Sequence, residues 1–77
     1  MKYLVIEIQT AADGTVANIV TSHDTRNAAE SAYHGILAAA AISSVPSHAA
    51  TILTSDGNAL EWRCYEHPVE AEEEVTE

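Results

Sequence analysis

Basic residues are scarce in this chain: Lys2, Arg26 and Arg63 stand against twelve acidic residues among 77, for a formal net charge of −9. Neutralising phosphates requires a basic surface, so this balance argues against direct nucleic-acid binding and against adhesion to anionic membranes. Cys64 is the single cysteine, which leaves no internal disulfide and suits a reducing compartment. No apolar run approaches the roughly 20 residues that cross a bilayer. The first ten residues alternate in polarity and include Glu7, unlike a secretory leader. These absences predict a soluble protein, cytoplasmic in a bacterial host or virion-associated.

Catalytic and cofactor patterns are missing as well. There is no G-x-S-x-G, no P-loop and no G-x-G-x-x-G. The length allows one domain with a small core, worth about 3–5 kcal/mol on its own. Without a disulfide, association with another copy is the simplest further source of stability, and a metal is the other.

What is present begins with Lys2 to Thr10, whose alternation puts Leu4, Ile6 and Ile8 on one face of a first strand. Asp13-Gly14 signals a hairpin turn, and Thr15 to His23 reads as the second strand. With Asp13-Gly14 central, Ile8 meets Ile19, Ile6 meets Thr21 and Leu4 meets His23. His48 to Thr54 and Ala59 to His67 read as strands three and four, joined by Ser55-Asp56-Gly57-Asn58. With Asp56-Gly57 central, Leu53 faces Leu60, Thr51 faces Trp62 and Ala49 faces Cys64, a plausible core face; with Gly57-Asn58 central the partners shift by two and each strand keeps its alternation.

Between the hairpins lies a helix. Asn27-Ala28-Ala29-Glu30 fits a capping box, with Asp24 or Thr25 as an earlier cap, and Val45-Pro46 enforces extended backbone beyond about Ser43 or Ser44. Ala29, Ala32, Tyr33, Ile36, Leu37 and Ala40 form its apolar stripe. Gly35 costs about 1 kcal/mol relative to alanine inside a helix, which suggests a close neighbour there. The run Ala38 to Ala41 would let the helix sit tightly on a sheet or on another helix. The fold class is therefore α+β, a four-stranded antiparallel sheet with one helix on one face in the order ββαββ.

Four histidines raise the possibility of a metal site. Cys64 and His67 form a C-x-x-H, and His48 would start the neighbouring strand at the same end of the hairpin. However, Cys64 and His67 have opposite parity, and a structural zinc site needs four converging ligands. Polar strand ends and a buried, inert Cys64 explain the same residues. Glu7, Glu61 and Glu66 read as solvated positions of alternating strands rather than as catalytic carboxylates. No catalytic, cofactor-binding or metal-ligating residue is assigned, and the chain reads as a non-enzyme.

Tyr3, Val5, Val20, Ile52 and Tyr65 fall on the sheet face opposite the expected core. A single helix covers one face, so an apolar second face marks an interface; scattered residues of high strand propensity are the plainer explanation. The expected partner is the protein itself, as a homodimer or higher assembly, with a phage structural protein or a host protein as further candidates. Residues 68–77 hold five acids, no base and no apolar period, which reads as a disordered acidic tail following a single domain over 1–67. The body alone has seven acidic residues to three basic, or −4.

Met1-Lys2-Tyr3-Leu4-Val5-Ile6-Glu7-Ile8-Gln9-Thr10, Tyr33-His34 with Ile36-Leu37-Ala38-Ala39-Ala40-Ala41, Pro46, His48-Ala49-Ala50 and Cys64-Tyr65-Glu66-His67 form a specific pattern. It resembles a group of small uncharacterised proteins of gut Firmicutes and their prophage-like regions, over most of residues 1–67. The resemblance implies a phage-associated setting and carries over no catalytic or ligand residues. The expected function is a non-enzymatic, oligomer-forming phage or mobile-element protein that acts by protein–protein contact. An acidic mimic of nucleic acid, inhibiting a host nuclease or DNA-binding protein, is the alternative. A small metal-binding or enzymatic domain using Cys64, His67 and His48 is a third.

Overall fold

The computed structural model describes residues 1–67; the acidic segment 68–77, expected as a tail, lies outside the described residues. Strands β1 (Tyr3–Thr10) and β2 (Val16–His23) precede helix α1 (Arg26–Ala41), and β3 (Ser47–Thr54) and β4 (Ala59–Glu66) follow it. All four strands join one antiparallel sheet in the order β2-β1-β3-β4. Because β2 and β3 both run antiparallel to β1, they run parallel to each other. The chain must cross β1 between them, and α1 is that crossover, as parallel connections require.

The helix begins where Thr25, in extended backbone, accepts the Ala28 N–H at 3.1 Å. This satisfies one of the orphan donors of the first turn. Its expected stripe is the stripe that packs: Ala29, Tyr33 and Ala40 are buried, with Ala32, Ile36 and Leu37 half-buried beside them. They sit mainly on β3 and β1. Gly35 is different from expectation. It is exposed, and a Cβ there would meet nothing within 4 Å, so no neighbour explains it.

Both hairpins close through the same turn. Gly14 N–H donates to Ala11 C=O at 2.9 Å and Ala11 N–H to Thr15 C=O at 2.8 Å; Gly57 N–H donates to Thr54 C=O at 2.9 Å and Thr54 N–H to Asn58 C=O at 2.8 Å. Gly14 and Gly57 have φ of 91° and 99°, the left-handed region that glycine enters without penalty. Each loop therefore has three residues between the closing pair, where two were expected. In the first hairpin the extra residue moves the register by one: Ile6 pairs with Val20, Val5 with Thr21 and Glu7 with Ile19. In the second, an irregularity at Ile52/Leu53 cancels the shift. Thr51 still pairs with Trp62 and Ala49 with Cys64, while Leu53 meets Ala59.

The helix covers the other side of the sheet from the one expected. Val5 and Ile52 are 1% and 0% exposed and, with Ala29, Tyr33 and Ala50, form the core. Leu4, Ile6 and Ile8 lie on the uncovered side. Alternation does not point to this side: β1 carries apolar residues on both, and β4 places Glu61 and Arg63 on the side the helix takes. The expectation avoided Glu7, but His48 Nε2 meets the Glu7 carboxylate at 2.6 Å and Gln9 donates to it at 3.0 Å. That bonding is what lets a carboxylate sit half-buried on the helix side of the sheet.

Candidate interaction surface

The proposed interface set does not assemble on one open face. Tyr3, Val5, Ile52 and Tyr65 all point to the helix side, where Val5 and Ile52 are core, Tyr3 packs against it and Tyr65 is half-buried. The Arg63 guanidinium stacks on the Tyr65 ring at 4.8 Å. Val20 alone lies on the uncovered side, where it is exposed. Tyr3, Val5, Ile52 and Tyr65 share a face as expected, but the helix takes that face and leaves the opposite parity open.

The uncovered side is built from the opposite parity. Its central row runs Val20, Ile6, Thr51, Trp62 across the four strands. Leu4 and Leu53 form the apolar part of one flanking row, and Ile8, Ala49 and Cys64 that of the other. Trp62 is 74% exposed. Glu66, at a corner, is the only charge among the described strand residues of this side. Cys64, expected in the core, is exposed here with its Sγ 3.3 Å from Ser47 Oγ.

Strand β2 has little cover on any side. Val16, Ile19 and Val20 are more than half exposed, and every residue of the strand before His23 is exposed. Ile19 faces the helix side, where α1 does not reach it. A shallow hollow lined by Glu7, Gln9, Ala17, Asn18 and Ile19 marks that gap.

The titratable groups sort into local pairs. His48 is buried; its Nε2 donates to Glu7, since a carboxylate only accepts, and its Nδ1 has no partner among the described residues. That hydrogen bond holds the Glu7 carboxyl below its ordinary pKa, against the opposing effect of burial. His67 Nε2 meets the Ala40 carbonyl at 2.8 Å, near the end of α1. Thus His48, Cys64 and His67 face three different surroundings and do not converge as a ligand set.

Glu30, His34 and Glu61 do come together, with potential ligand atoms within 4.8 Å of one another. Glu61 lies opposite Ile52 on the helix side of β4, with Arg63 and Tyr65, and the bulge adds Leu60 to the core beside it. Arg26 already serves these carboxylates, at 3.3 Å from Glu30 and 3.6 Å from Glu61. The closeness of the two carboxyl groups lowers the pKa of Glu30 and raises that of Glu61. The Arg26–Glu30 contact was legible as an i,i+4 pair; Glu61 was not, because its side of the sheet was expected to be the uncovered one. Among the described residues, no helix is long and apolar enough to cross a membrane.

No family model matches this chain, and no curated protein or solved structure matches it either.

Proposed function

We propose that the protein is a non-enzymatic, self-associating protein that works through the uncovered side of its sheet, in the phage or mobile-element setting its sequence resemblance suggests. One observation carries this reading: Leu4, Ile6, Ile8, Val20, Leu53 and Trp62 form an apolar side with one corner charge, on a chain of net charge −9. Two copies can meet there without like-charge repulsion, whereas the rest of the surface resists approach. Four strands of eight residues project about 500 Å² at ~4.8 Å between strands and ~3.3 Å per residue. Two such faces give about 1,000 Å², the lower bound for a specific interface. An exposed tryptophan in the central row suits the anchor such an interface needs.

Nucleic-acid mimicry is less well supported by the described residues. Glu7, Asp13, Asp24, Glu30, Asp56 and Glu61 all have partners within the chain, rather than being displayed in a free array.

Light scattering at micromolar concentration tests the proposal. The unaltered chain should be larger than its 8.2 kDa monomer. Ile6→Lys combined with Trp62→Lys should reduce the mass while circular dichroism stays unchanged. Ile42→Lys, at a site 86% exposed just past the helix, should leave the assembly intact. A monomeric unaltered chain refutes the reading.

A further inference from the structure

The two edges of the sheet are built differently, and the difference points to a second contact. Edge strand β4 carries Glu61, Arg63 and Glu66 and an irregular register, the usual protections against pairing with another chain. Edge strand β2 has none of them. Val16 to Ser22, Val-Ala-Asn-Ile-Val-Thr-Ser, contains no charge and no proline, and its register with β1 is unbroken.

The unpaired groups of β2 can be named. Ala11 and Thr15 are a hydrogen-bonded pair at the turn. Alternation along the ladder then turns the N–H and C=O of Ala17, Ile19, Thr21 and His23 toward β1. Those of Val16, Asn18, Val20 and Ser22 point outward, away from the sheet. An unprotected row of this kind is a template for another strand.

We propose that β2 pairs antiparallel with β2 of a second copy, so that two sheets run on as one. A twofold axis normal to the sheet keeps each residue on its own face, which restricts the register to same-parity pairs. Setting Ile19 against its mate overlaps residues 16–22 and pairs Asn18 with Val20, and Val16 with Ser22, of the second copy. This supplies about eight interchain hydrogen bonds. It also covers Ile19 beside its hollow, where α1 leaves it exposed. The occupant is a second copy because the strand is neutral in an acidic chain and because this register matches it to itself, with isoleucine on the axis at the closest side-chain spacing.

This contact is independent of the one on the sheet's uncovered side. If both form, their twofold axes are perpendicular and can close the assembly as a tetramer of 8.2 kDa chains. The test uses the full chain and two variants. Asn18→Pro removes an outward N–H without touching the ladder to β1, the one setting in which an edge strand tolerates proline. It should halve the assembly mass. The Ile6→Lys, Trp62→Lys variant isolates the edge contact and should remain a dimer.

Hydrogen exchange on that double variant gives a residue-by-residue readout that does not depend on Asn18→Pro folding. The amides of Val16, Asn18, Val20 and Ser22 should exchange at least about tenfold more slowly than that of Ala12 in the turn. Exchange at these four positions as fast as at Ala12 overturns the edge pairing. So does an assembly abolished by the two lysines but unchanged in folded Asn18→Pro, an outcome that leaves the sheet-face reading standing. A dimer abolished by Asn18→Pro and indifferent to the lysines supports the edge and removes the face.

Discussion

Replacing Ile52 by alanine should unfold the protein rather than divide an assembly. Ile52 is 0% exposed, paired between Val5 and Glu61 in the row that lies beneath α1. Truncation leaves a cavity between sheet and helix, and buried isoleucine to alanine costs about 2–5 kcal/mol. A core of this size supplies about 3–5 kcal/mol, so the loss is comparable to the whole. Ile52→Val removes one methyl group and should cost about 0.5–1.5 kcal/mol. At roughly 4–8 °C per kcal/mol for a domain of this length, that is a measurable fall in melting temperature with the fold retained. Circular-dichroism melts at one fixed protein concentration read both, since association makes the midpoint concentration-dependent. An Ile52→Ala chain that melts within a few degrees of the unaltered one would falsify the packing described for this side of the sheet. A folded, merely dissociated Ile52→Lys would do the same.

Gly35→Ala should raise stability by about 0.4–1 kcal/mol, because the added Cβ meets nothing and the unfolded chain loses freedom; a urea titration measures it. Gly57→Ala should lower stability by about 1–2 kcal/mol, since φ of 99° strains any side chain, and the same titration serves. Glu7 has a folded pKa depressed below its ordinary 4.5, so its contribution is present above that value and is lost as pH falls through the folded pKa. Glu7→Gln should therefore cost about 1–3 kcal/mol at neutral pH, and the gap to the unaltered chain should close below pH 4.5. A gap independent of pH would rule out that origin. A chain ending at His67 loses five acids with no apolar period among them, and should melt within a few degrees of the full one.

Elements were legible in the sequence where a period or a turn residue specified them. The helical stripe from Ala29 to Ala40 is a 3.6-residue period, and the buried residues of α1 follow it. Asp13-Gly14 and Asp56-Gly57 marked both hairpins. They did not give the loop length, because Asp-Gly fits both a two-residue loop and a three-residue loop with glycine last; the difference moved the pairing of the first hairpin by one residue, while in the second the irregularity at Ile52/Leu53 restored the expected pairs. Which side the helix takes was hidden for a related reason. The hand of a crossover and the turn geometry choose the side, and β1 offers Tyr3 and Val5 on one face and Leu4, Ile6 and Ile8 on the other. Glu7 looked like a solvated position because its partner, His48, is 41 residues away. Glu61 was hidden because its side of β4 was expected to be the open one, whereas α1 brings Arg26 to it.

The self-association reading survives the exchange of faces for a physical reason. A four-stranded sheet that is apolar on both sides, served by a single helix, leaves one apolar side whichever way the helix falls. Covering Val5 and Ile52 releases Ile6 and Trp62; covering Ile6 and Trp62 would have released Val5 and Ile52. The residues that carry the proposed contact therefore depend on the structure, while the surplus of apolar surface over helix does not. Charge then gives the contact a direction. The described acids lie in the turns, under the helix or along its flank, and spare the uncovered side except at Glu66. A chain of net charge −9 can approach itself across that side and along β2, the two surfaces on which almost no charge opposes it.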